Sequence, residues 1–152
     1  MCLGMLCSYL LGCTDKTKDA YIYFELPSIP DTLDPQTAST DSELLIIKNI
    51  YEGLMRKDKE GNVVCGIAES YETNGLTYKF KIRESATWSN EDDVTAHDFV
   101  FAFRRAVNPK NNAPFVSRFK SIKNADAISS GKLSPQKLGV KAIDDNAYLM
   151  CL

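Results

Sequence analysis

The chain has 152 residues, 44% of them hydrophobic and 25% charged, with a formal net charge of -2. That suffices for one domain with a core, and the near-balanced charge argues against nucleic acid as the main partner. No stretch reaches the ~18–20 apolar residues that would span a bilayer, so the body of the chain is expected to be soluble.

Met1 to Gly12 carries no charge, and Cys13 is followed at once by Thr14-Asp15-Lys16-Thr17-Lys18-Asp19. An apolar run this short fits the core of a signal peptide, although a basic residue at its start is lacking. Leu10-Leu11-Gly12-Cys13 resembles a bacterial lipobox, which implies a signal over residues 1–12, lipidation of Cys13 and a polar tether over 13–20. A short buried helix or strand containing cysteines is the competing reading. Cys2 and Cys7 would leave with the signal, so Cys65 and Cys151 would remain as thiols whose pairing cannot be read from the sequence. No CxxC occurs and no cysteine lies near the single histidine, so no metal site or cofactor is expected.

Tyr21 to Leu26 is a β-branched and aromatic run that predicts a buried strand. Pro27, Pro30 and Asp34-Pro35 then enforce an extended, turn-rich connection. Asp41-Ser42-Glu43 opens a helix with acids in its first turn. Leu44, Leu45, Ile47, Ile50, Tyr51, Leu54 and Met55 give that helix an apolar face running on to residue 55. Asp58-Lys59-Glu60-Gly61 reads as a turn, and Val63-Val64 as resumed extended chain. Asn74-Gly75 between Ser70–Thr73 and Leu76–Arg83 predicts a hairpin with a type I′ turn. In its second arm Tyr78, Phe80 and Ile82 share one face, and Lys79, Lys81 and Arg83 the other.

Trp88 is expected to be a core aromatic anchoring the next loop, with ligand contact as the less favoured role. Thr95-Ala96-His97-Asp98 reads as a capping box for a helix that runs to Val107 and is ended by Asn108-Pro109. A weaker helix over 125–130 is stopped by Gly131. Val140–Ile143, Asp144-Asp145-Asn146 and Ala147–Leu152 predict a last hairpin. Phe115 lies in a loop, where an exposed aromatic calls equally for a packing partner or a ligand.

No catalytic apparatus is legible. His97, in the first turn of a helix, is expected to face solvent with no nucleophile beside it. Glu91-Asp92-Asp93 lacks the alternating ligands of a calcium loop and reads as a solvated acidic turn. Asp31 and Asp34 are better placed to cap turns than to form a carboxylate dyad, and no glycine-rich phosphate loop exists.

Several blocks occur in a familiar order: Thr32-Leu33-Asp34-Pro35, Ile50-Tyr51-Glu52-Gly53-Leu54, Gly66-Ile67-Ala68-Glu69-Ser70-Tyr71, Tyr78 to Arg83, Trp88-Ser89, Val94 to Ala106, and Gly139 to Asp145. Together they resemble the bacterial extracellular solute-binding proteins of family 5, the oligopeptide receptors of ATP-driven (ABC) importers. The resemblance implies an α/β fold: the N-terminal part of a periplasmic-binding-protein-like lobe of type II, class C, with a mixed sheet, hairpins and flanking helices. Residues 21–51 would start the first lobe and 52–152 would form its accessory subdomain. The resemblance implies an oligopeptide ligand held through its backbone by Ser39, Thr40 and Asp41, with Phe115 lining the cleft. It also implies permease subunits of the importer as partners, a lipid anchor on the outer face of the cytoplasmic membrane, and a monomer. Where the family commonly has Asp-Gly after Trp-Ser, this chain has Asn90-Glu91, which implies a modified turn. The chain stops before the second lobe and the hinge of such receptors, so an N-terminal fragment unable to bind alone is expected. The alternatives are a secreted interaction module built on this fold, or a receptor for a dipeptide, a nickel chelate or a sugar.

Overall fold

In chain order, helix α1 (Asp41–Ile50) is followed by a short hairpin of β1 (Met55–Lys57) and β2 (Val63–Cys65). These elements belong to a computed structural model that describes residue 23 and residues 25–152. The expected signal, tether and Cys13 lie outside the described residues, as do Tyr21, Ile22 and Phe24 of the expected first strand. Tyr23, Glu25 and Leu26 form no strand, and Tyr23 is exposed.

Strand β3 (Ala68–Thr73) pairs with β4 (Thr77–Ile82), helix α2 (Ala96–Ala106) follows, then α3 (Ala125–Ser129), β5 (Val140–Ala142) and β6 (Ala147–Cys151). The larger sheet has the order β3-β4-β6-β5, so the last strand sits beside β4 in its middle. The α/β class holds. Every described pairing is antiparallel, so no parallel pair of the expected mixed sheet falls among the described residues.

Helix α2 covers one face of this sheet through β5 and β6. Tyr148 lies fully buried between them, its ring centroid 6.0 Å from Phe80, 6.2 Å from Phe99 and 5.7 Å from Phe103. Ile82, Val107 and Ile128 complete the most deeply buried layer. The alternation read from β4 is present, with Phe80 and Ile82 buried and Lys79 and Lys81 exposed. Helix α2 begins as predicted: the Asp98 carboxylate accepts from the Thr95 N–H at 2.8 Å and from its hydroxyl at 3.1 Å. It ends one residue early, ahead of Asn108-Pro109. Gly131, at φ +76°, follows the short α3 as expected.

Further expectations fail. The helix opened at Asp41 stops at Ile50, and Tyr51 takes an extended conformation. The Leu54 carbonyl accepts from the N–H groups of Gly66 and Ala68, and the Gly53 carbonyl from Ile67, so pairing with a later segment overrides helical periodicity. A Cβ on Gly66 would sit 2.4 Å from the Gly53 oxygen, so this crossing admits only glycine. The apolar face of α1 is borne out only in part: Ile47 is buried and Leu44 half-buried. Ser42 and Glu43 are buried, whereas Leu45 and Ile50 are exposed. The turn at Asn74-Gly75 is not type I′, because Gly75 alone takes a positive φ, +88°. The Asn74 side-chain oxygen instead accepts from the N–H groups of Leu76 and Thr77, making a longer loop.

Trp88 is 43% exposed and lies outside the core. Its loop is closed by backbone bonds: Trp88 N–H to Asp92 carbonyl at 2.8 Å, Glu91 N–H to Trp88 carbonyl at 3.0 Å, and Val94 N–H to Ala86 carbonyl at 2.9 Å. With buried Ala86 and Val94 anchoring its two arms, the loop needs no indole inside. Its tip places Glu91 at φ +72°, where a side chain clashes with its own backbone. This is the modified turn expected from the missing glycine. Glu91→Gly is expected to raise stability by about 0.5–1 kcal/mol, the released strain exceeding the added entropy of the unfolded chain. An unchanged or lower urea midpoint would contradict that account.

Candidate ligand-binding surface

The segment that carries Ser39, Thr40 and Asp41 is built by polar contacts. After Pro35 the chain turns, the Asp34 carbonyl accepting from Thr37 and Ala38 at 3.2 and 3.0 Å. The Asp34 carboxylate accepts from the Gln36 N–H at 3.0 Å, the turn-capping role expected of it. It also forms a two-pronged ion pair with Arg105, Nη1 to Oδ1 at 2.9 Å and Nη2 to Oδ2. Arg105 further donates to the Gln36 side chain at 3.1 Å, and Gln36 donates to the Ala102 carbonyl at 2.8 Å. The C-terminal half of α2 thus holds the turn, and Ala38 is fully buried at its base.

Bonding to Arg105, against a smaller opposing effect of burial, lowers the Asp34 carboxyl to about 2. A carboxyl depressed in the folded state adds stability above its unfolded value near 3.9, and that stability is lost as pH falls from about 4 through 2. Asp34→Asn should therefore cost about 1–2 kcal/mol at pH 7 and almost nothing at pH 2, as a half-exposed charge-assisted pair predicts. Equal losses at both pH values, by urea titration, would rule this out.

Beyond the turn, Ser39, Thr40 and Asp41 are exposed. Thr40 caps α1, its hydroxyl accepting from the Glu43 N–H at 3.3 Å, while the Glu43 carboxylate reaches back to the Thr40 N–H at 2.9 Å. The same carboxylate accepts from the N–H groups of Ser39, Asp31 and Thr32. These backbone bonds, led by Thr40 and Ser39, lower the Glu43 carboxyl to about 2.

Phe115 lies in the loop that leaves α2. Asn111 donates from its side chain to the Arg105 carbonyl at 2.6 Å, fixing the start of that loop. The Phe115 ring is half-buried, with the Arg118 guanidinium 4.2 Å from its centroid, a cation–π contact. Arg105 therefore secures both candidate segments, by its side chain for Asp34–Gln36 and by its carbonyl for the Phe115 loop. No direct bond joins Phe115 to Ser39, Thr40 or Asp41. The expected solvent-facing His97 is 68% exposed, 3.6 Å from the exposed Asp145. Among the described residues no group of three or more His, Cys, Asp or Glu side chains could hold a metal ion.

Sequence reasoning missed Glu43 and Arg105. Thr40-Asp41-Ser42-Glu43 is a full capping-box pattern, so one function of Glu43 was open to detection. Arg105 gives no local signal, since its partner lies far back in the chain.

Residues 62–147 match the family described as bacterial extracellular solute-binding proteins, family 5 Middle. The periplasmic oligopeptide-binding protein OppA of Haemophilus influenzae is 40% identical over 125 residues, 80% of this chain and 23% of its own length. The probable deoxycholate-binding periplasmic protein YgiS of Escherichia coli is 41% identical over 129 residues, 82% of this chain and 24% of its own. Among solved structures, peptide-bound OppA of Listeria monocytogenes superposes with a TM-score of 0.80 at 37% identity, covering 84% of this chain and 26% of that one. The chain spans about a quarter of the length of the curated relatives it matches.

Proposed function

The chain belongs to the bacterial extracellular solute-binding proteins of family 5, and we propose that it is the N-terminal part of an extracytoplasmic oligopeptide receptor serving an ABC importer. One observation carries this reading: the fold superposes at 37% identity on a relative whose structure holds a peptide. The geometry agrees with it. Ser39, Thr40 and Asp41 form an exposed, externally braced segment, and Phe115 offers a half-buried ring from a loop braced by the same arginine. Such a segment suits an extended peptide recognised through its backbone. In this reading residues 21–51 begin the first lobe, 52–152 form its accessory subdomain, and the protein acts as a monomer by binding without catalysis.

A second ligand class is favoured by one comparison, the 41% identity to a probable deoxycholate-binding protein. Calorimetric titration of the receptor at the length of its relatives, with a mixed peptide pool and separately with deoxycholate, decides between them. Saturable heat with peptides alone is the expected result, and saturation by deoxycholate alone would overturn it.

The anchor is the second part of the proposal. Cys13, after Leu10-Leu11-Gly12, is the residue that would carry lipid. A single acyl chain holds a protein to a membrane only marginally, so the two or three chains of a lipoprotein are needed. Mass spectrometry of the membrane fraction should find a diacylglyceryl adduct on Cys13. An unmodified N-terminus at Met1 would exclude the anchor.

A further inference from the structure

The carboxylate of Glu43 does more than cap a helix. Its residue is only 3% exposed, yet the side chain is charged, so its oxygens must be satisfied from within. Oε2 accepts from the N–H groups of Ser39 and Thr40, both at 2.9 Å. Oε1 accepts from those of Asp31 and Thr32, at 3.2 and 3.3 Å. Two stretches of backbone on either side of the Asp34-Pro35 turn are thereby tied to one side chain. The neighbouring Ser42, also buried, accepts from the Ser28 N–H at 3.0 Å and extends the same anchoring backwards.

The bonds also decide what the exposed segment can offer a ligand. The N–H groups of Ser39 and Thr40 are turned inward and occupied. The Thr40 carbonyl accepts from the Leu44 N–H at 3.0 Å. What has no partner among the described residues is the Ser39 carbonyl and the N–H of Asp41, the first residue of the helix. One acceptor and one donor, two residues apart on an extended stretch, match the carbonyl and N–H of a single residue in a parallel strand. Thr40 is extended, at φ -87° and ψ 155°.

We propose that Glu43 is a positioning residue of the peptide site, holding the Ser39–Asp41 backbone so that the Ser39 carbonyl and the Asp41 N–H meet one residue of an extended peptide. This rests on the receptor function proposed above. Pre-ordering matters because a loop that had to be ordered by its ligand would spend binding energy on lost freedom. Glutamine at this position retains one acceptor oxygen and puts an NH2 where the other accepted two N–H groups. Glu43→Gln therefore releases at least two of the four backbone donors while keeping the size of the side chain.

The test uses the 152-residue chain and amide NMR. In the parent chain the amides of Asp31, Thr32, Ser39 and Thr40 should exchange slowly with solvent. In Glu43→Gln at least two should exchange about tenfold faster or more, while the amides of β4 and β6 keep their rates. Addition of millimolar trialanine should shift the Asp41 amide of the parent chain and leave that of the variant unmoved. Four fast-exchanging amides in the parent chain would overturn the proposal without any variant. So would equal trialanine shifts in both chains. If the exchange pattern is as expected but trialanine shifts neither chain, the peptide site is not on this segment. The positioning role then falls with it, while the hold of Glu43 on the loop stands.

Discussion

Truncating Tyr148 to alanine is expected to cost about 3–5 kcal/mol, the range for removing a large aromatic from a filled core. The side chain is fully buried and within aromatic contact distance of Phe80, Phe99 and Phe103, so it joins the central sheet to α2. A domain of this size is stable by about 5–15 kcal/mol, so the loss removes a large share of the total. The hydroxyl tells a different story. It has no hydrogen-bond partner among the described residues, and burial pushes its pKa above the usual phenol range. A buried polar group without a partner is a cost, so Tyr148→Phe should match or exceed the parent stability, by up to about 1 kcal/mol. Urea unfolding followed by circular dichroism tests both. An alanine loss under about 1 kcal/mol would show that the ring does not join the sheet to the helix, and a phenylalanine loss above about 2 kcal/mol would show that the hydroxyl has a stabilising partner.

The second large effect is a weakness of affinity. The 152-residue chain by itself is expected to bind extended peptides only weakly, in the millimolar range. Its candidate contacts are Ser39, Thr40, Asp41 and Phe115, of which the first three are exposed. Hydrogen bonds made on an open face largely exchange for bonds to water. Association also costs several kcal/mol of translational and rotational freedom, which so small a contact does not offset. The relatives it matches are about four times longer, so most of what they could bring to a ligand lies outside this chain. Isothermal titration against extended peptides tests this. A saturable dissociation constant near or below 10 μM would refute it and make this chain a binding module in its own right.

What the sequence disclosed rests mostly on neighbouring residues, and what it concealed mostly on distant ones. The β3–β4 hairpin, the Thr95–Asp98 cap, the stop at Asn108-Pro109 and the β5–β6 hairpin all rest on residues within a few positions of each other. Each was legible. The early end of α1 was not, because Leu54 is claimed by the backbone of Gly66 and Ala68. Trp88 was misplaced because composition favours tryptophan inside, while the loop closes through its own backbone bonds. Tyr148 was passed over since nothing near it marks it as the centre of a core; its neighbours come from β4 and α2. At the candidate site, the resemblance supplied Ser39, Thr40, Asp41 and Phe115. The residues that hold them, Glu43 and Arg105, act across a turn and across the fold.

The position of β6 in the sheet sets the order of events during synthesis. Strand β4 pairs on one side with β3 and on the other with β6, which is made only after α2, α3 and β5. Until then Phe80 and Ile82 have no covering layer from Tyr148, and β4 presents an unpaired edge. Closing such a distant pairing is slow compared with forming a hairpin. The nascent chain should therefore pass through an interval in which an apolar strand edge is open to chaperones and to other chains.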